Sequence, residues 1–131
     1  MSGKNGKNSK GSPFPQWPIK IKLVQGGAPF FDGADLLLAV DCSGYVRPDF
    51  HSEYMAGKVT LIACSKLEGE DYTDKLTEII GDNDIKSITL VRLALPCCGG
   101  LELAAMAALK NTDKDIPFQI VTLGIDGAIV Q

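Results

Sequence analysis

"SITLVRLALPCCGGLELAAMAALKN", residues 87–111, passes from one apolar pattern into another. Its first nine residues are mostly apolar, rich in Ile, Leu and Val, and place apolar side chains on both faces of a strand. A strand buried on both faces needs that composition. Pro96 stops the strand, because it has no N–H to give to a ladder. The run "GLELAAMAALKN" that follows is apolar nearly all round and built from small residues, as suits a helix lying close against a sheet. A strand, a tight turn and a buried helix make half of a βαβ unit.

The same grammar extends in both directions. "DLLLAVDC" (35–42), "KVTLIAC" (58–64) and "PFQIVTLGI" (117–125) are further continuous apolar runs. Helical segments separate them. "RPDFHSEYMAG" (47–57) reads as a short helix ending at Gly57. "EDYTDKLTEIIGDN" (70–83) sets Tyr72, Leu76, Ile79 and Ile80 on one face, with Gly81 as a stop. "PIKIKLV" (18–24) alternates Ile19, Ile21 and Leu23 with Lys20 and Lys22, the pattern of a half-exposed edge strand. Asp126-Gly127 reads as a tight hairpin turn. Strands alternating with helices predict an α/β fold: a three-layer Rossmann-like domain with a mostly parallel sheet and a C-terminal hairpin.

The chain has 131 residues, enough for one domain with a real core. Residues 1–14 begin with Gly, Ser, Asn and Lys, which bury too little apolar surface to offset ordering entropy. They read as a flexible tail or linker before a single α/β domain over 15–131. A net charge of −3 gives no nucleic-acid footprint. No apolar run reaches the roughly 20 residues of a membrane span, so no membrane partner is expected. No apolar stretch follows the N-terminal lysines, so this segment does not read as a secretory signal and the expected compartment is the cytoplasm. There, four cysteines point to metal-binding, catalytic or core roles rather than disulfides.

Those cysteines are not scattered. Cys42 follows "LLLAVD", Cys64 follows "VTLIA", and Cys97 and Cys98 follow "LVRLALP". In a parallel sheet all three strands finish on one edge, the edge where α/β folds bind ligands. Neighbouring strands lie about 4.8 Å apart, so thiols at their ends can converge. The first amides of the helix after Pro96 lack intrahelical partners and favour negative charge, which lowers a thiol's pKa. Gly99 and Gly100 allow a close approach of backbone to a bulky ligand. Core cysteines and a metal-free redox pair are competing readings; the shared edge favours a thiolate site.

His51, the only histidine, follows the first strand and is a candidate fourth ligand for zinc. Asp41 is a candidate acceptor behind Cys42. Arg47 is a candidate anion contact. Phe30, Phe31 and Tyr45 are candidate shields for a bound group.

The blocks "QWPIKIKLV", "APFFDGADLLLAVDC", "FHSEYMAGKVTLIACSKLE", "DYTDKLTEII" and "IKSITLVRLALPCCGGLE" resemble the C-terminal domain of a family of ferredoxin-like iron–sulfur proteins of anaerobes. The resemblance covers residues 15–131, with the blocks in order and at matching spacing. It implies that Cys42, His51, Cys64, Cys97 and Cys98 occupy family motif positions. It favours a 4Fe-4S iron–sulfur cluster, with zinc as the alternative, and a role in electron transfer. In that family a ferredoxin module with paired clusters comes first. This sequence has no C-x-x-C-x-x-C run, so a separate ferredoxin-type redox partner is expected. A zinc hydro-lyase resembling β-type carbonic anhydrases is the enzyme alternative, although the run Cys42-Ser43-Gly44-Tyr45-Val46-Arg47 lacks their C-x-D-x-R pattern. A metal-stabilised structural domain is the third.

Overall fold

The computed structural model describes residue 11 and residues 14–130. Apart from Gly11 and Phe14, the tail expected over 1–14 lies outside the described residues. Four strands form one sheet: β1 (Asp35–Val40), β2 (Val59–Ala63), β3 (Ser87–Leu93) and β4 (Phe118–Leu123). Their order is β2-β1-β3-β4, and every pairing is parallel. The continuous apolar runs are the cause. Leu36, Leu37, Leu38, Ala39 and Val40 are all buried, although successive side chains point to opposite faces. Both faces of β1 are therefore covered, as parallel sheets require.

Helices α1 (Ser43–Val46), α2 (Ser65–Glu68), α3 (Thr73–Asp82) and α4 (Gly99–Thr112) connect the strands. A π-helical turn, His51–Met55, precedes β2. Tyr72, Leu76, Ile79 and Ile80 are buried, as their spacing predicts. In α4 the buried face is Leu101, Ala104, Ala105 and Ala108, while Leu103 and Met106 stay exposed. Arg92 of β3 reaches Glu102 of α4 at 3.0 Å. Arg92 lies two residues beyond Leu90 and so on the same face; Leu90 is in register with Leu38, so α4 lies over the face carrying Leu38.

The edge strand expected at 18–24 does not form. Lys20 makes one parallel bridge to Ile62, and the chain then curls, with the Leu23 and Val24 N–H groups both donating to the Lys20 carbonyl. Ile21 and Val24 are buried and Leu23 is exposed, a spacing of three instead of two. Five alternating residues fit either geometry; capture of the Lys20 ammonium by two carboxylates, described below, holds the turn.

The C-terminal hairpin is present as a tight turn. Leu123 and Ile129 form an antiparallel bridge, and Gly127 N–H donates to Gly124 O at 2.9 Å. Gly127 has φ +88°, and a Cβ there would overlap the Val46 carbonyl oxygen. Arg47 holds the same turn, donating to Gly127 O at 2.9 Å. Gly127→Ala should therefore cost about 1–3 kcal/mol, measured as a shift in the urea midpoint at constant slope. An unchanged midpoint would mean that the hairpin is not seated on α1.

Candidate functional site

From β1 the chain passes to one side to form β2 and later to the other side to form β3. The C-terminal end of β1 is thus the topological switch point, where open α/β sheets bind ligands. Cys42 lies two residues beyond β1, and Cys64 directly follows β2 on one flank. Cys97 and Cys98 sit on the other flank, in the 3-10 turn Pro96–Cys98 after β3. The expected shared edge and strand adjacency are both present. Cys42 and Cys97 are exposed, Cys64 is half-buried and Cys98 is buried. Among the described residues, no three His, Cys, Asp or Glu side chains lie close enough to hold a single metal ion. The thiols share an edge without closing on one point.

His51 belongs elsewhere. Its ring packs edge-on against Phe14 at 5.5 Å. Phe14 lines a cleft of about 520 Å³ with Asp35, Gly57 and Val59, at the starting ends of β1 and β2. On the way from β1 to β2 the chain turns the His51 ring to Phe14. Among the described residues His51 joins no group of three His, Cys, Asp or Glu side chains able to hold a metal ion. The expected shields also fall away: Phe31 is core, Phe30 lines that opposite-edge cleft and Tyr45 is 92% exposed.

The start of α4 also differs from expectation. The Cys98 and Gly99 N–H groups are not free, because the 3-10 turn spends them on Leu95 O and Pro96 O. Burial pushes the Cys98 thiol up rather than down; a backbone bond from Leu93 acts the other way without reversing it, and Cys97 adds to the rise. Gly100 faces protein: a Cβ there would overlap Ser65 Oγ, so this glycine lets α4 close on the start of α2. Gly99 has more room, with the Arg92 guanidinium 3.8 Å from where its Cβ would be.

Between the loops after β2 and β3 lies a cleft of about 760 Å³. Ser65, Lys66, Glu70, Asp71, Pro96 and Cys97 line it. Cys97 is the only one of the four cysteines in that lining.

A charged network that the sequence reading missed stands behind Cys42 and Cys64. Lys20 Nζ donates to Asp41 Oδ2 at 2.7 Å and pairs with Glu68 Oε2. The Tyr72 hydroxyl donates to Glu68 Oε1. Burial alone would raise Glu68; the bonds from Lys20 and Tyr72 reverse this and hold it below the usual carboxylate range. Burial would likewise depress Lys20, and its two carboxylates instead raise it. Burial and the Glu68 bond push the Tyr72 phenol well up. Asp41 precedes Cys42, and Glu68 N–H donates to Cys64 O at 2.9 Å. Asp41 Oδ1 is shut off from solvent with no partner among the described residues, so it retains an acceptor beside Cys42. Lys20, flanked by two isoleucines, was the available signal. Arg47, the candidate anion contact, is instead occupied by Glu53, at 2.7 and 2.9 Å, and by Gly127.

An all-parallel sheet with helices connecting its strands defines a Rossmann-like α/β domain. Residues 28–131 match the family described as a Rossmann-like domain, and the chain belongs to it. It is also 29% identical over 115 residues to an uncharacterized protein of Archaeoglobus fulgidus, covering 87% of this chain and 81% of that protein. No solved structure matches.

Proposed function

We propose that the cysteine edge of the sheet binds an iron–sulfur cluster, in the manner of the ferredoxin-like family that the sequence resembles, and serves electron transfer. One observation carries this reading. Three neighbouring strands, in the order β2-β1-β3, each run out into cysteine at the switch point. Cys42, Cys64 and Cys97 are the thiols that solvent or a cleft reaches, and they are the proposed ligands; Cys98 is packed in the core.

The donor set suits a cluster better than one ion. A zinc site needs its sulfurs about 2.3 Å from one centre. Among the described residues no three His, Cys, Asp or Glu side chains are grouped for that, and the His51 ring is turned to Phe14. A four-iron cube takes its thiolates at separate corners, so it bridges strand ends that a single ion cannot. Such a cluster, when bound, would supply one-electron chemistry. The chain's own part is to present thiolates from fixed strand ends and to keep Asp41 Oδ1 as an acceptor behind them. A separate ferredoxin-type protein in the cytoplasm would be the redox partner.

Anaerobic reconstitution with iron and sulfide tests the proposal. The wild type should gain visible absorbance with stoichiometric iron and sulfide. Cys42→Ser and Cys64→Ser should each lose most of both. Full iron content in the Cys42→Ser/Cys64→Ser protein would end the reading. His51→Ala should leave the iron content unchanged.

A further inference from the structure

The geometry points to a second use of the Pro96–Cys98 turn: Cys97 and Cys98 form a two-thiol redox pair that is oxidised by a low-molecular-weight disulfide entering the cleft beside Cys97. This goes beyond the cluster proposal, because it concerns the metal-free protein and needs neither Cys42 nor Cys64.

The two thiols differ in a way that assigns roles. Cys97 is exposed and lines the 760 Å³ cleft; Cys98 is adjacent in the chain and only 6% exposed. An incoming disulfide meets Cys97 first. Cys98 is the next residue of the same 3-10 turn, so its sulfur is tethered within reach of a mixed disulfide formed on Cys97. Lys66 lines the cleft with Cys97, while Glu70 is paired with Lys22 and Asp71 accepts from Thr73. The cleft therefore offers an ammonium to a disulfide that bears carboxylates.

The chemistry balances. The Cys97 thiolate attacks one sulfur of RSSR; that S–S bond breaks, one RS⁻ leaves, and a mixed disulfide forms on Cys97. Cys98 gives its proton to solvent, and its sulfur attacks Cys97 Sγ. The second RS⁻ leaves, and both thiolates take up protons. The protein dithiol loses two electrons and two protons, and RSSR becomes two RSH. Ring closure between adjacent residues must reorient the 97–98 peptide. That turn is a three-residue 3-10 segment whose Cys98 N–H is held by one bond, to Leu95 O at 3.1 Å.

The experiment uses reduced, metal-free full-length protein and glutathione disulfide as the probe. Tryptic cleavage after Arg92 and Lys110 isolates Cys97 and Cys98 in one peptide, away from Cys42 and Cys64. That peptide should become lighter by two hydrogens and carry no glutathione. Cys98→Ser should accumulate glutathione on Cys97. Cys97→Ser should react roughly tenfold more slowly or less, because the remaining thiol is buried. A wild-type peptide that stops at the glutathione adduct would overturn the proposal, as would a Cys97→Ser protein reacting at the wild-type rate. Wild-type mapping needs no variant to fold. Because no iron is present, a negative result here leaves the cluster test independent.

Discussion

Leu37→Ala and Leu38→Ala should each lower the unfolding free energy by roughly 3–4 kcal/mol, the cost of a leucine cavity in a close-packed core. The two side chains point to opposite faces of β1, and both are fully buried. Leu38 is in register with Leu61 and Leu90, an aliphatic row beneath the face that α4 covers. Leu37 is in register with Thr60 and Thr89, a more polar row on the other face. A sheet covered on one side only would make one of these substitutions nearly free. Urea unfolding of both variants decides between the arrangements. Equal large losses match a sheet between two covering layers, and a loss below about 1 kcal/mol at Leu37 would mean that its face is open to water.

The fold was readable because parallel strands leave a strong local trace. "DLLLAVDC", "VTLIAC" and "SITLVRL" put apolar residues on both faces of a strand, as a strand covered on both sides requires, and each is flanked by helical spacing. The same reading placed the cysteines on one edge, since direction follows from parallel pairing. What it lacked was the path of the connections. His51 is nine residues beyond Cys42 in the sequence, and nothing local reveals that its ring turns to Phe14. Cys98 was indistinguishable from Cys97, because burial of one of two adjacent thiols depends on how the 3-10 turn is oriented. Gly100 was read as room for a ligand and is room for Ser65. The Lys20 network joins residues separated by 21 and more positions, so only the folded chain brings it together.

Lys20→Ala should destabilise the protein by about 2 kcal/mol near neutral pH, the scale of a hydrogen bond to a charged partner with limited solvent. Lys20 is the larger of the two bonded groups that keep Glu68 ionised against its burial. The pH dependence follows from the direction of that shift. Glu68 has a depressed pKa in the folded state, so its contribution is present above the unfolded value of about 4.3 and is lost as pH falls through the lower folded value. The gap between wild type and Lys20→Ala should therefore be widest at neutral pH and close on acidification below about pH 4. Lys20 itself is raised, so its share is present below its unfolded pKa and fades only as strongly alkaline pH passes the folded one. Lys20→Met, which keeps the apolar stem, should behave like Lys20→Ala in its pH profile while recovering part of the packing. A gap that stays constant from pH 7 to pH 3 would show that the ammonium contributes only bulk. The consequence reaches the cysteines, because Lys20 links Asp41, one residue before Cys42, to Glu68, whose amide is bonded to the Cys64 carbonyl. Loss of that link removes the side-chain tie between the loops after β1 and β2 and leaves only the backbone ladder, ending in Asp41 N–H to Ala63 O, to hold them. In the reconstitution assay, Lys20→Ala should therefore bind iron less completely than wild type even at pH 7, where the fold remains intact.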